Sequence, residues 1–333
     1  MRRLGFLVLF FIACTGLVSA HESQPGTLEI KQLATDRYDV TWRAPIYYGK
    51  PHPARLQLPE DWQNIAQPIE RHMANSIVFQ RVIKTGKNSI EGDIVTFPGL
   101  ESTITDVFVR LIRLDGTIMT AVVRPTKPSV ELRGERSWSA TAGEYIALGF
   151  HHIMLGVDHL LFVLGLLLIV QGRMKLLKTI TAFTVAHSIT LAIATLGFAS
   201  VPLPPLNVAV ALSIFFLGPE IVRSWRGETS LTITYPWVVA FIFGLLHGFG
   251  FASGLTTTGM PSAELPWALL FFNVGVELGQ LTFVFLVLWL NRSFHILEIR
   301  WPRMVQMVTG YAVGSLGAFW TIQRTFMLFR NLS

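Results

Sequence analysis

Two patterns of apolar positions divide the chain. Between 21 and about 130, apolar and polar residues alternate in short runs, as in Thr27-Leu28-Glu29-Ile30-Lys31 and Arg37-Tyr38-Asp39-Val40-Thr41-Trp42. Val78 to Ile83 and Val107 to Leu111 repeat the alternation, and Asp115-Gly116 supplies a turn before Thr117 to Val123. Period-two runs separated by turn residues predict half-buried β-strands, and their spacing predicts a β-sandwich-like domain. From 144 the pattern changes to six long apolar runs, near 144–170, 178–197, 206–222, 236–255, 265–290 and 305–323. Each is about 20 residues, the length a helix needs to cross a bilayer. The expected fold is a polytopic α-helical membrane protein with about six transmembrane helices over 144–328. An extracytoplasmic β-sandwich-like domain over 21–130 and a linker over 131–143 precede it.

Composition strengthens this division. The chain is 51% hydrophobic and only 14% charged, against roughly 25% charged in an ordinary soluble domain. The net charge of +6 does not point to nucleic acid, since no such motif is present and many basic residues flank the apolar runs. Arg173, Lys175 and Lys178 follow the first run, Arg223 and Arg226 the third, and Arg292, Arg300 and Arg303 the fifth, while 198–205 and 256–264 carry no Lys or Arg. The positive-inside rule makes the basic loops cytoplasmic and the β-domain external. On this reading Arg324 and Arg330 fall outside, after the last span.

The first residues agree on orientation. Met1-Arg2-Arg3, the apolar stretch Leu4 to Ala13 and Val18-Ser19-Ala20 form a secretory signal over 1–20, with His21 as the new N-terminus. A lipoprotein signal ending at Cys14, the only cysteine, is the competing reading. Without that thiol any metal site must use imidazole, carboxylate, amide or thioether groups. His52 and His72 lack companions at ligand spacing and are read as structural or solvated.

Ionisable groups in a span are costly and need a reason. The first run contains His151, His152, Asp158 and His159; positions seven apart share a helix face, so His152 and His159 are expected on one stripe. The second run has Thr184, His187 and Ser188, and the fourth has His247 among glycines. In the fifth, Asn273, Glu277 and Gln280 make one polar stripe. Gly310, Gly314 and Gly317 in the sixth permit close helix approach. Asp158, His159, His187, His247 and Glu277 fall near the middle of their runs, which predicts a shared midplane site. Glu220 lies nearer an end, within reach of Arg223.

The core His152-x-x-x-Gly156-x-Asp158-His159, with Ala186-His187-Ser188, Leu246-His247-Gly248 and the stripe from Asn273 to Glu277, resembles the HupE/UreJ family of bacterial membrane proteins. The resemblance covers the membrane half, and the long exported front domain looks like the larger branch of that family. It implies nickel uptake, with His152, Asp158, His159 and His247 handling the metal. The chain departs from the compact members at Ile153, where they carry Pro, and after His247, where they carry a further His and a Glu.

The expected function is a permease for a divalent transition-metal ion, nickel or cobalt with zinc as a further candidate, in the bacterial inner membrane. The expected metal residues are His152, Asp158, His159, His187, His247 and Glu277, with His151, Asn273, Gln280 and Ser188 in uptake or supporting positions. Imidazole and carboxylate suit such borderline ions. No resident cofactor and no catalytic residue is expected; lipid, the ion and a periplasmic protein at 21–130 are the expected partners. The rivals are an intramembrane zinc hydrolase, a haem protein with paired histidine ligands, and a metal-linked accessory or sensor protein.

Overall fold

The computed structural model describes residues 25–47, 50–73, 76–87, 89–103, 105–133, 138–256, 265–296 and 303–330. The signal over 1–20, with Cys14, and His21 lie outside the described residues, as do most of the loop 256–264 and Arg300. The chain divides into two compact units, one within Ser23–Glu144 and one built on Tyr145–Ala252 and Ala268–Ser333.

The first unit is a β-structure. Strands β1 (Gly26–Ala34), β2 (Arg37–Tyr47), β6 (Ser76–Lys84), β8 (Val107–Ile112) and β9 (Ile118–Val123) carry the main sheet. Short strands β3 (Lys50–Pro51), β4 (Gln63–Asn64) and β5 (Ile69–His72) extend it. The order along the sheet is β4-β6-β2-β1-β8-β9, with β3 beside β2 and β5 beside β6. β1 runs antiparallel to β2 (Ile30 opposite Val40) and parallel to β8 (Ile30 opposite Leu111). Alternate residues Leu28, Ile30, Val40, Trp42, Val107, Val109 and Leu111 enter one core. The Asp115-Gly116 turn joins β8 to β9 with Gly116 at φ +84°, a conformation that favours glycine.

This corrects the sandwich expectation: among the described residues the main sheet is open and does not close on itself. Alternation tells which face of a strand is buried, not which strand lies beside it. Here β1 sits between β2 and β8, so strands that could have formed two layers join a single one. The opposing layer is thin. It consists of the two-stranded ribbon of β7 (Ile94–Thr96) and β10 (Ser129–Glu131), with Ala54 and Trp62 from a connecting segment. Trp42 packs on Phe97 with ring centroids 5.2 Å apart. His52 is buried in this unit, and His72 is exposed beside Glu70 at 3.0 Å.

The second unit is helical: α1 (Trp138–Leu155), α2 (Val157–Ile169), α3 (Arg173–Thr195), α4 (Leu203–Arg226), the one-turn α5 (Leu231–Thr234), α6 (Pro236–Thr256), α7 (Leu265–Ile296) and α8 (Arg303–Arg330). Among the described residues, α3, α4 and α7 are long and apolar enough to cross a membrane, and α1 with α2 adds a fourth if that bent pair is one span. These helices make this a membrane-associated protein. The expectation of about six transmembrane helices is therefore corrected to three or four among the described residues. The first apolar run breaks at Gly156 into two helices at 72°. Among the described residues the fourth run gives a shorter apolar helix, Pro236–Phe251, and the helix of the sixth run continues past 323 through Arg324 and Thr325 to Arg330.

Glycines bring the helices together. A Cβ at Gly149 would strike the carbonyl of Phe272, and one at Gly275 that of Ile146, so α1 and α7 touch backbone to backbone. Gly244 and Gly248 of α6 meet Phe183 and His187 of α3 in the same way. Gly218 of α4 approaches Gly314 of α8, while Gly310 and Gly317 lie against Ile221 and Phe215. Small residues that permit close backbone approach are the usual means of helix association in lipid.

Candidate functional site

The break at Gly156 shapes the site. On a straight helix His152 and His159 would be separated by about 10 Å along the axis. Instead the chain turns between them, with Gly156 at ψ 88°, and their ring centroids come to 4.9 Å. Only glycine suits this position, since a Cβ would stand 2.7 Å from the His152 carbonyl oxygen and 3.0 Å from His159 Nδ1.

Two more imidazoles complete the group. His187 of α3 has its ring 6.1 Å from those of both His152 and His159. His247 of α6 has its ring 4.8 Å from that of His159. One nitrogen each from His152, His159 and His187 lies within 4.8 Å of the others. Nitrogens about 2 Å from a shared ion stand roughly 3–4 Å apart, so small ring rotations would close the group on a cation. Phe251 and Phe272 wall it, with centroids 4.4 and 5.5 Å from that of His152, and Phe183 and Phe162 pack on His247 at 5.3 Å each.

Hydrogen bonds fix which nitrogen is bare. Asn273 donates Nδ2 to the Leu269 carbonyl at 2.8 Å, which turns its Oδ1 toward His187 Nδ1 at 3.3 Å. Oδ1 can only accept, so His187 carries its proton on Nδ1 and leaves Nε2 with a free lone pair. Ser213 works similarly on His247. Its hydroxyl donates to the Val210 carbonyl at 2.6 Å and can therefore only accept from His247 Nε2, at 3.0 Å. His247 Nδ1 is then the bare atom. Both bare atoms, with Nε2 of His152 and His159, are buried and without a hydrogen-bond partner. Buried nitrogens are rarely left unpaired, and the three of His152, His159 and His187, with the His247 ring beside His159, form a cluster compatible with metal binding. Holding one imidazole nitrogen so that the other faces a metal is how proteins orient histidine ligands.

The other predicted residues have partners of their own. Asp158, 3% exposed, places Oδ2 at 2.7 Å from Arg324 of α8, which also donates to the Asn207 carbonyl at 2.8 Å. The buried Arg324 is part of α8, not beyond the end of a span as the sequence suggested. Glu277 accepts from Thr181 at 2.7 Å, and Gln280 lies 2.9 Å from Thr184. His151 is exposed, with Nδ1 2.6 Å from the Ala147 carbonyl, and Ser188 donates to the Thr184 carbonyl at 2.7 Å. Glu220 pairs with Arg223 at 2.7 Å, as its spacing implied. Sequence reasoning missed Ser213, Thr181 and the role of Arg324. A lone carboxylate amid apolar residues was the available signal for the last, since it requires a counter-charge.

Residues 129–324 match the family described as HupE / UreJ protein. That is more than half of the chain, and the chain belongs to this family. No curated protein and no solved structure matches it.

Proposed function

We propose that this HupE/UreJ protein is a permease for a divalent transition-metal ion, nickel or cobalt, which passes through the imidazole group. The observation that carries the reading is the set of four buried nitrogens without partners, two of them with their tautomer fixed by Asn273 and Ser213. Neutral imidazoles are good donors to borderline divalent ions and poor ones to magnesium or calcium. Their position among apolar helices suits an ion in transit across lipid. The basic loops at Arg173 to Lys178 and at Arg223 and Arg226 support a cytoplasmic side there, with the β-unit on the periplasmic side of a bacterial inner membrane. That unit is the natural place for a periplasmic protein partner.

The zinc-hydrolase alternative needs a carboxylate free to take a proton from a bound water. Asp158 holds Arg324 through Oδ2 and Glu277 accepts from Thr181 through Oε1, and each keeps one oxygen without a partner, so the uptake experiment below is what separates the two readings.

The reading is tested with purified protein in liposomes. Wild type is expected to accumulate radioactive nickel or cobalt, and His159→Ala to lose the uptake and at least about 100-fold in metal affinity. Cobalt bound by wild type without any uptake would overturn transport; unchanged affinity in His159→Ala would overturn the site.

A further inference from the structure

Beside the imidazoles, on the contact of α3 with α7, lies a second polar group. Thr181 donates to Glu277 Oε1, and Thr184 Oγ1 sits 2.9 Å from Gln280 Oε1 and 3.4 Å from the Ile180 carbonyl. Each of the two long side chains keeps one buried atom without a partner, Glu277 Oε2 and Gln280 Nε2, and Gln280 is 0% exposed. The two ends of an amide are sterically alike. Turned over, it keeps the bond to Thr184 and leaves its carbonyl oxygen as the bare atom. An unpaired buried polar atom costs about 1–3 kcal/mol, so a seam that served only to join two helices would satisfy these groups.

The group connects at both ends. His187 is one residue short of a full turn beyond Thr184 on α3, and Asn273 is one turn before Glu277 on α7. The His187–Asn273 bond therefore joins this group to the imidazoles. On the other side, Thr181 lines a groove of about 440 Å³ with Leu177, Lys178, Trp237 and Phe241. The Lys178 ammonium sits 4.7 Å over the Trp237 ring. A lysine and a tryptophan together mark the level at which a helix meets the lipid headgroups.

We infer that Glu277, Gln280, Thr181 and Thr184 form a second cation station, built from oxygen donors. A partly hydrated divalent ion pauses there between the imidazoles and the groove beside Lys178. The inference rests on the permease reading. Its chemistry follows from the donors. Imidazoles bind a borderline ion firmly, whereas carboxylate, hydroxyl and amide oxygens are harder ligands that leave water on the ion. Conduction needs such a weaker step, because a site that only binds tightly does not release.

The test uses the full chain in liposomes, with Cys14 replaced by Ser and single cysteines introduced. Thr181→Cys and Gln280→Cys are expected to react with a membrane-impermeant thiosulfonate about tenfold faster than Ile189→Cys on an outer face of α3, and cobalt is expected to slow the reaction of Gln280→Cys. In parallel, Glu277→Gln is expected to keep cobalt affinity within about twofold while lowering cobalt uptake about tenfold. Labelling no faster than at Ile189→Cys, or uptake in Glu277→Gln equal to wild type, overturns the station. If wild type takes up no cobalt, the permease reading itself fails, and the labelling result then shows whether the seam is water-accessible.

Discussion

His52 in the β-unit and His187 and His247 in the helical unit are all hidden from solvent, but their nitrogens are used differently. His52 Nδ1 accepts from the Ala54 N–H at 3.1 Å, so its proton is on Nε2, 2.7 Å from the Thr105 hydroxyl. Both of its nitrogens are occupied. His187 and His247 each have one nitrogen held and one bare. Burial does not distinguish the two kinds of histidine; the tally of satisfied nitrogens does. A ring with both positions taken is a fixture of the fold, and a ring with one left over is available to a ligand.

The sharpest way to break this comparison is through the buried ion pair, in which Asp158 Oδ2 is held by Arg324 while Oδ1 has no partner. Arg324→Ala strands a buried carboxylate and is expected to cost about 3–5 kcal/mol, read as a lower melting temperature in detergent. The double variant Asp158→Asn with Arg324→Gln is expected to lose less. If Arg324→Ala melts like wild type and Asp158→Asn instead loses cobalt affinity, Asp158 belongs with the bare nitrogens and the comparison fails.

A smaller effect sharpens it in the β-unit. Burial lowers the pKa of His52 from 6.5 to about 4. The unfolded chain therefore takes up this proton first. The contribution of the neutral ring to stability is whole above about pH 6.5 and is lost as the pH falls toward about 4, on the order of 3 kcal/mol in all. Denaturant unfolding at pH 7 and pH 4.5, followed by fluorescence of the buried Trp42 and Trp62, is expected to show the loss, and His52→Gln to remove most of that slope. His52→Gln is expected to leave cobalt affinity unchanged.

The smallest effects fall on the residues that hold the bare rings. Asn273→Ala and Ser213→Ala each release a tautomer and are expected to weaken cobalt binding about tenfold. Thr105→Ala, the matching change beside His52, is expected to leave it as it was. Titration of the cobalt absorption bands compares the three variants directly.

Much of the local structure was legible in the sequence, because local structure follows from local periodicity. The alternation in residues 27–31, 37–42 and 107–111 marks β1, β2 and β8, and the apolar runs mark the helices. His152, His159, His187 and His247 stood out as polar atoms that lipid would not tolerate without purpose. Pairing between distant segments was not legible. Nothing near Leu28 says that β1 will lie parallel to β8, and the alternation alone suits a sandwich as well as an open sheet. Asp158 announces that it needs a partner but not that the partner is Arg324, far along the chain. The pairing of His152 with His159 was expected for an incomplete reason. A shared stripe aligns two rings, and it is the break at Gly156 that brings them within reach of one ion.

That break also has a mechanical meaning. His152 hangs from the last turn of α1 and His159 from the first turn of α2, on opposite sides of a 72° bend. A metal gripped by both rings would act as a clasp across the elbow, so its arrival locks the angle between the two half-helices and its departure frees it. On the permease reading proposed above, holding the ion and setting the angle of the elbow would be one act.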